Sequence, residues 1–298
     1  MDRRNFLVLS TASATAAAIT NSATAIEPFD RPSPGVLRGS LAAYSMRKYL
    51  TMPKGQAKSM DLFGFVDYCK QLGLSGTELT SYYFPEGADT DYVLRLRRHC
   101  HLAGMTVSGG AIRNDFCSQD SGKVAADIAH TKKWIDLYAL LGTPVIRIFA
   151  GNQPKGEELS RTLARCAKHC QTVCDYAADK GVMLGLENHG GVTARAEGLL
   201  EIVHQVDSPA LGINFDSGNF RVEDPYAELE KIAKYAINAQ IKVEVYREGK
   251  KVPSDLPRVA SILKDAGYSG WVALEYEAAE DPHDAIPGWT RELLKVLA

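Results

Sequence analysis

Four short apolar runs in the second half of the chain each end on a residue that can bind a cation or carry a proton. Val182–Leu186 runs into Glu187-Asn188-His189-Gly190-Gly191, and Leu211–Phe215 stops at Asp216. Ile237-Asn238-Ala239 leads into Gln240, and Trp271–Leu274 stops at Glu275. Three carboxylates and one amide oxygen form a hard, oxygen-rich donor set of the kind that suits Mn²⁺ or Mg²⁺ better than a soft site would. A divalent ion on a carbonyl and its neighbouring hydroxyl withdraws charge and stabilises an enediolate as it forms. One carboxylate can then take the α-proton and another can return it, roles that fall to Glu187 and Glu275. Return on the opposite face gives an epimer, and return to the adjacent carbon gives an aldose–ketose isomer. Loss of a β-leaving group instead gives a dehydratase or a lyase, for instance on a 3-keto-glycoside. Singly, each carboxylate also reads as a cap on the helix that follows. Four such oxygen donors, three carboxylates and an amide, on successive strands favour a metal site.

Side chains so far apart in sequence converge only if parallel strands carry them to one edge. Apolar runs of this type read as buried parallel strands, and ligands gather where such strands end. Strand patterns recur at Leu41–Tyr44, Gly76–Leu79, Met105–Ile112, Pro144–Phe149, Val182–Glu187, Leu211–Asp216, Ile237–Val243 and Trp271–Tyr276. Between and after them lie helical patterns at Leu62–Leu72, Tyr92–Ala103, Lys123–Leu141, Glu157–Ala178, Ala194–Val206, Tyr226–Tyr235, Leu256–Ala266 and Trp289–Leu297. Gly73, Gly104, Gly142, Gly181 and Gly267 stand where helices should stop before the next strand. Eight strand–helix pairs predict a single-domain α/β chain, a (β/α)8 TIM barrel over residues 40–298 with an irregular lead-in over 26–39. A doubly wound sheet is the rival, weakened because no Gly-rich dinucleotide loop follows the first strand.

The 298 residues, 45% hydrophobic, are ample for one large core. A net charge of −2 gives no general attraction to nucleic acid or to anionic membrane. No internal run of apolar residues is long enough to span a bilayer. The start of the chain differs in character. Arg3-Arg4, an Ala/Thr-rich weakly apolar run and Ala23-Thr24-Ala25 read in order as a twin-arginine export signal over residues 1–25. The expected location is therefore the periplasm or another exported compartment. Six cysteines do not fix the redox state; Cys166, Cys170 and Cys174 repeat as one buried helix face rather than as a zinc pairing.

Gly185-Leu186-Glu187-Asn188-His189, Asn214-Phe215-Asp216-Ser217-Gly218-Asn219 and Ala273-Leu274-Glu275-Tyr276-Glu277 resemble the sugar phosphate isomerase/epimerase family of xylose-isomerase-like barrels. The resemblance covers essentially everything after the leader. It implies one divalent metal on Glu187, Asp216, Gln240 and Glu275, with the two glutamates also serving as the acid/base pair. The departure is at Gln240, where the family usually has His. An amide oxygen can still ligate a hard cation, which moves the expectation further from zinc toward manganese or magnesium. Gln240 also reads as a residue that only hydrogen-bonds within the barrel mouth.

Around this set, His189, Asn219, Lys242, Arg247, Glu78 and Arg147 are candidate substrate-binding residues. His189 reads equally as a core histidine, and Arg147 in an apolar strand must be paired or face the substrate. Lys250 and Lys251 read as a solvated loop. Tyr44, Tyr82, Tyr83 and Phe116 read either as an aromatic wall over a sugar or as packing. The expected partner is a small sugar or sugar derivative, with no nucleic acid and no membrane once the leader is removed; a homo-oligomer is compatible. Rival readings are a repair endonuclease on the same barrel, disfavoured because only His189 lies at a strand end, a metal-water hydrolase, and a non-catalytic sugar-binding barrel.

Overall fold

The computed structural model describes residues 27–32, 35–51 and 59–298. The proposed export signal lies outside the described residues. Eight parallel strands close a barrel: β1 (Leu37–Ala42), β2 (Gly76–Thr80), β3 (Thr106–Ala111), β4 (Val145–Ile148), β5 (Met183–Glu187), β6 (Leu211–Asp216), β7 (Ala236–Lys242) and, after a hairpin of β8 (Glu244–Arg247) and β9 (Lys250–Pro253), β10 (Gly270–Glu275). The closed order is β1-β10-β7-β6-β5-β4-β3-β2, and the β8–β9 pair is antiparallel. This is the expected (β/α)8 barrel. Strand β1 begins at Leu37, inside the stretch expected to be irregular, because Leu37-Arg38-Gly39 pairs in register with Gly270-Trp271-Val272 and shuts the barrel.

Six of the helices begin at a capping aspartate. Asp61, Asp89, Asp120, Asp224, Asp255 and Asp281 accept from backbone N–H groups in the first turn of their helices, satisfying donors that a helix leaves free. The five expected stop glycines all adopt positive φ. At Gly142, φ is 84°, a left-handed cap that ends the long helix Ser121–Leu141 two residues before β4. Its N–H then reaches the carbonyl of Ala139, as in other helix ends of this kind. Cys166, Cys170 and Cys174 are buried on one face of the helix Leu159–Ala178, as their spacing suggested, and all six cysteines are free thiols. Among the described residues no helix is long and apolar enough to cross a membrane.

The barrel interior is the part that bears on function. Strand residues alternate in and out, so positions two apart on one strand stack in the interior one layer above the other. Asn214 and Asp216 on β6, and Asn238, Gln240 and Lys242 on β7, are all buried. Small residues on neighbouring strands make room for them. A Cβ on Gly109 would lie 3.3 Å from Glu78 Oε2, and one on Gly185 would lie 3.1 Å from Asn214 Cβ. The two strand glycines are volume left for polar side chains.

Candidate active site

Below the strand ends lies a closed ring that takes in two successive inward positions of β7, Asn238 and Gln240. Asn238 Nδ2 donates to Glu78 Oε2 at 2.9 Å and to Asn214 Oδ1 at 2.8 Å. Asn214 Nδ2 donates to Gln240 Oε1 at 2.7 Å, and Gln240 Nε2 donates to Glu78 Oε1 at 2.6 Å. Every polar atom of the Gln240 amide is therefore engaged within the barrel. Burial, opposed by these donors, raises the Glu78 carboxyl to about 7.

One layer above, at the C-terminal ends of the strands, charges replace amides. Glu187, at the end of β5, lies 3.0 Å from Arg147 Nε of β4 and accepts from Asn219 Nδ2 at 2.9 Å. The Arg147 contact is close without the alignment of a hydrogen bond. Arg147 donates instead to the Ile112 carbonyl at 2.7 Å and stacks on Phe149, 3.9 Å from the ring centre. Lys242, at the end of β7, places Nζ 3.2 Å from Asp216 Oδ2, 2.5 Å from Glu275 Oε2 and 2.6 Å from Glu277 Oε1. Asn188 ties the ends of β5 and β6 together: it donates to the Asp216 carbonyl and accepts from the Asp216 N–H, both at 2.9 Å.

A cavity of about 560 Å³ opens over this layer. Glu187, Glu275, Arg147, Lys242, His189 and Asn219 all line it, together with Tyr44 and Tyr82. Asp216 has no exposed side-chain surface and lies beneath Lys242. Gln240 and Glu78 stay below in the ring and do not reach the cavity. Arg247 sits on the exposed β8–β9 hairpin, opposite Lys250, and is not among the cavity residues. That hairpin was unforeseen, and it carries Arg247 away from the mouth. Lys250 and Lys251, also on the hairpin, are exposed as expected. Tyr83 and Phe116 are buried packing residues, and Phe149 supplies the aromatic surface expected of them. Its ring centre is 4.3 Å from that of His189.

Glu277 is the main cavity residue that the sequence reading passed over. It stands two places after Glu275, hence on the same face of the continuing chain, and that spacing was the available signal. Arg113 and Arg221, exposed at the cavity edge over Tyr82 and Tyr246, carried no comparable signal.

The two glutamates are held in different states. Burial pushes Glu187 up to about 7 against the pull of Arg147. Burial would also raise Glu275, but the Lys242 ammonium outweighs it and holds Glu275 below the usual carboxylate range. Burial raises Asp216, and although it opposes the charge on Lys242, the surrounding carboxylates hold that lysine protonated. His189 is open to the cavity yet pushed down to about 4 by surrounding protein and by the Arg147 and Lys242 charges, so its ring is neutral near pH 7. The loop after it is fixed by Thr193, whose hydroxyl accepts from the His189 N–H at 3.0 Å and donates to the Glu187 carbonyl at 3.0 Å. Gly191, with φ 53°, lets this loop lie on the Gly151 backbone, which a Cβ would strike at 2.2 Å.

The expected metal does not fit these donors as they stand. Glu187, Asp216 and Glu275 do meet in one layer, but the Gln240 amide oxygen is turned to Asn214 and a lysine ammonium lies among the carboxylates. Among the described residues no group of three or more His, Cys, Asp or Glu side chains is arranged to hold a metal ion.

No curated protein matches the chain. Solved structures do match in fold. A D-tagatose 3-epimerase-like protein is 17% identical, covering 87% of this chain and 96% of its own, with a TM-score of 0.68. The IolI protein with a bound zinc atom is 17% identical over 87% and 96% of the two chains, with a TM-score of 0.70. The 3-keto-D-glucoside 4-epimerase YcjR of E. coli is 13% identical over 86% and 99%, with a TM-score of 0.65. Residues 66–298 match the family described as xylose isomerase-like TIM barrel, and with so much of its length matched the chain belongs to that family.

Proposed function

We propose that the chain is a sugar epimerase or isomerase that works by proton transfer next to a carbonyl. The observation that carries this reading is the pair Glu187 and Glu275: two buried carboxylates on one cavity, held in different protonation states. Their strands, β5 and β10, are three apart around an eight-strand ring, so the two carboxylates approach a bound sugar from opposed sides. Glu275, kept ionised, takes the α-proton, and the C–H electron pair moves into the new double bond as the carbonyl oxygen gains charge. Glu187, which carries a proton at and below about pH 7, returns one to the other face. Pairs of titratable groups whose surroundings drive them apart are a recurring sign of acid/base division of labour. Neutral His189 and Asn219 bind sugar hydroxyls, and Tyr44, Tyr82 and Phe149 cover the ring.

The manganese or magnesium ion expected from the donor types plays no part in this reading, because Gln240 is withheld in the ring below. An unphosphorylated substrate agrees with the proposed twin-arginine export to the periplasm. Replacing Arg3 and Arg4 together by Lys should hold the protein in the cytoplasm, as fractionation would show. The likeness to a 3-keto-D-glucoside epimerase favours a keto-glycoside, and the same enediolate would eliminate a β-substituent if one is present. Proton NMR in D₂O over free ketoses, 3-keto-glycosides and inososes tests the proposal. Deuterium entry at the carbon beside the carbonyl is expected, and the product separates epimerase, isomerase and lyase. No exchange across the panel, with sugar still bound, would leave a sugar-binding barrel.

A further inference from the structure

The carboxylates best placed to hold a metal ion already hold a cation. Lys242 Nζ has three N–H donors and three carboxylate partners, Asp216, Glu275 and Glu277. The lysine is fixed by more than charge. Its backbone N–H donates to Ser217 Oγ at 2.9 Å. Its stem crosses Gly218, where a Cβ would lie 2.7 Å from Lys242 Cδ and 2.9 Å from Lys242 Cβ. The missing side chain at Gly218, two residues past the end of β6, thus leaves the groove in which the lysine lies. The residue two places earlier, Gln240, is bonded on both amide atoms to Asn214 and Glu78.

We propose that Lys242 is the resident cation of this site and does the electrostatic work without a divalent metal. The inference rests on the proton-transfer reading above. Of the three carboxylates, Glu277 is the most exposed, with 34% of its side chain accessible. A substrate carbonyl oxygen takes its place on Nζ. When Glu275 accepts the α-proton, its hold on the ammonium weakens as negative charge appears on the substrate oxygen. The positive charge of Lys242 is then shared with the enediolate instead of with Glu275. The proton passes from substrate carbon to Glu275, a proton from Glu187 ends on the opposite face, and no oxidant or co-reactant is required. An ammonium aimed at a developing oxyanion in a water-poor site is an established way to lower such a barrier.

The test has two readouts on the full chain. The first is Mn²⁺ binding by electron paramagnetic resonance, for the wild type and Lys242→Met, after chelator treatment. Removing the ammonium frees three carboxylate oxygens, so Lys242→Met should bind Mn²⁺ at least about tenfold more tightly than the wild type. The second is deuterium exchange on the substrate found by the D₂O panel. Wild-type exchange should survive EDTA unchanged, and Lys242→Met should lose about 10²–10³-fold even with Mn²⁺ added. Wild-type protein that binds one Mn²⁺ per chain as tightly as the variant, or whose exchange EDTA abolishes, overturns the proposal. The wild-type arm needs no variant, so it decides the matter even if Lys242→Met does not fold. If no sugar in the panel exchanges, the proton-transfer reading fails, while Mn²⁺ binding still reports whether Lys242 occupies the cation position.

Discussion

Two polar layers fill the upper barrel, and they differ in whether their bonds are complete. The lower ring of Glu78, Asn238, Asn214 and Gln240 closes on itself, and none of its members reaches the cavity. The upper layer of Glu187, Arg147, Asp216, Lys242 and Glu275 is also buried but incomplete: Glu187 Oε2, Asp216 Oδ2 and Arg147 Nε have ionic neighbours without hydrogen bonds. Buried polar groups are normally satisfied, and those left short in a native fold call for a cause such as a catalytic role, a bound water or an ion. The ring therefore reads as the floor that fixes the strand ends, and the layer above it as the chemistry. Amides dominate the set that faces protein, and charged groups the set that faces the cavity.

The sharpest break between the layers should come from Glu187→Gln. The change keeps shape and the Asn219 contact but removes the proton, so exchange in D₂O should fall by about 10²–10⁴-fold. Sugar affinity, read by calorimetry, should change little. Equal loss of both would return Glu187 to a structural role.

Damage to the ring should appear in stability. Asn238→Leu leaves Glu78 Oε2 and Asn214 Oδ1 each short of a donor, with an expected loss of roughly 3 kcal/mol in urea unfolding. The ring also carries a pH signature. Glu78 is raised from 4.5 to about 7 in the folded state, so the native chain holds a proton that the unfolded chain releases. Its contribution is fully present below pH 4.5 and is lost as pH climbs through about 7. Glu187 adds a loss in the same window. Glu78→Gln should flatten part of that decline while leaving the Glu187 part in place.

Activity should follow the upper layer alone. If Glu187 returns the proton, kcat/KM falls as pH rises through about 7, where that carboxyl ionises. An ordinary histidine would give a similar limb, but His189 titrates near 4 and is already neutral there. His189→Asn should keep the falling limb and cost no more than about tenfold in kcat/KM through a lost hydroxyl contact. Disappearance of the limb in that variant would move the acid from Glu187 to His189.

How far the sequence showed all this depended on the distance over which each feature is decided. The carboxylates at strand ends were legible because an apolar run and its last residue are neighbours in sequence. Gln240 was legible as a type, with metal ligation and hydrogen bonding within the barrel both open as uses; its partner Glu78 lies 162 residues away, and only barrel closure brings them together. Lys242 was foreseen as a substrate contact. Its place among three carboxylates depends on the room over Gly218, which no spacing rule records. The glycines of β3 and β5 were likewise read as strand residues, while their missing side chains are what admit the polar ring.

The smallest effect is expected where sequence proximity misled. Arg247 follows Gln240 and Lys242 closely, and continuation of β7 would have carried it over the mouth. Instead Glu244–Arg247 turns back against Lys250–Pro253, with Glu248 and Gly249 at positive φ making the two-residue turn. The guanidinium is exposed and outside the cavity. Arg247→Ala should leave kcat and KM within about twofold of the wild type, since exposed surface changes seldom exceed about 0.5 kcal/mol. The comparison gains from its neighbour on the same hairpin, Tyr246, which packs against Arg221 at the cavity edge with its ring centre 4.5 Å from the guanidinium carbon. Tyr246→Ala should raise KM while Arg247→Ala does not. A rise in KM for Arg247→Ala alone would mean that the hairpin folds over bound sugar and that the mouth is larger than the cavity seen here.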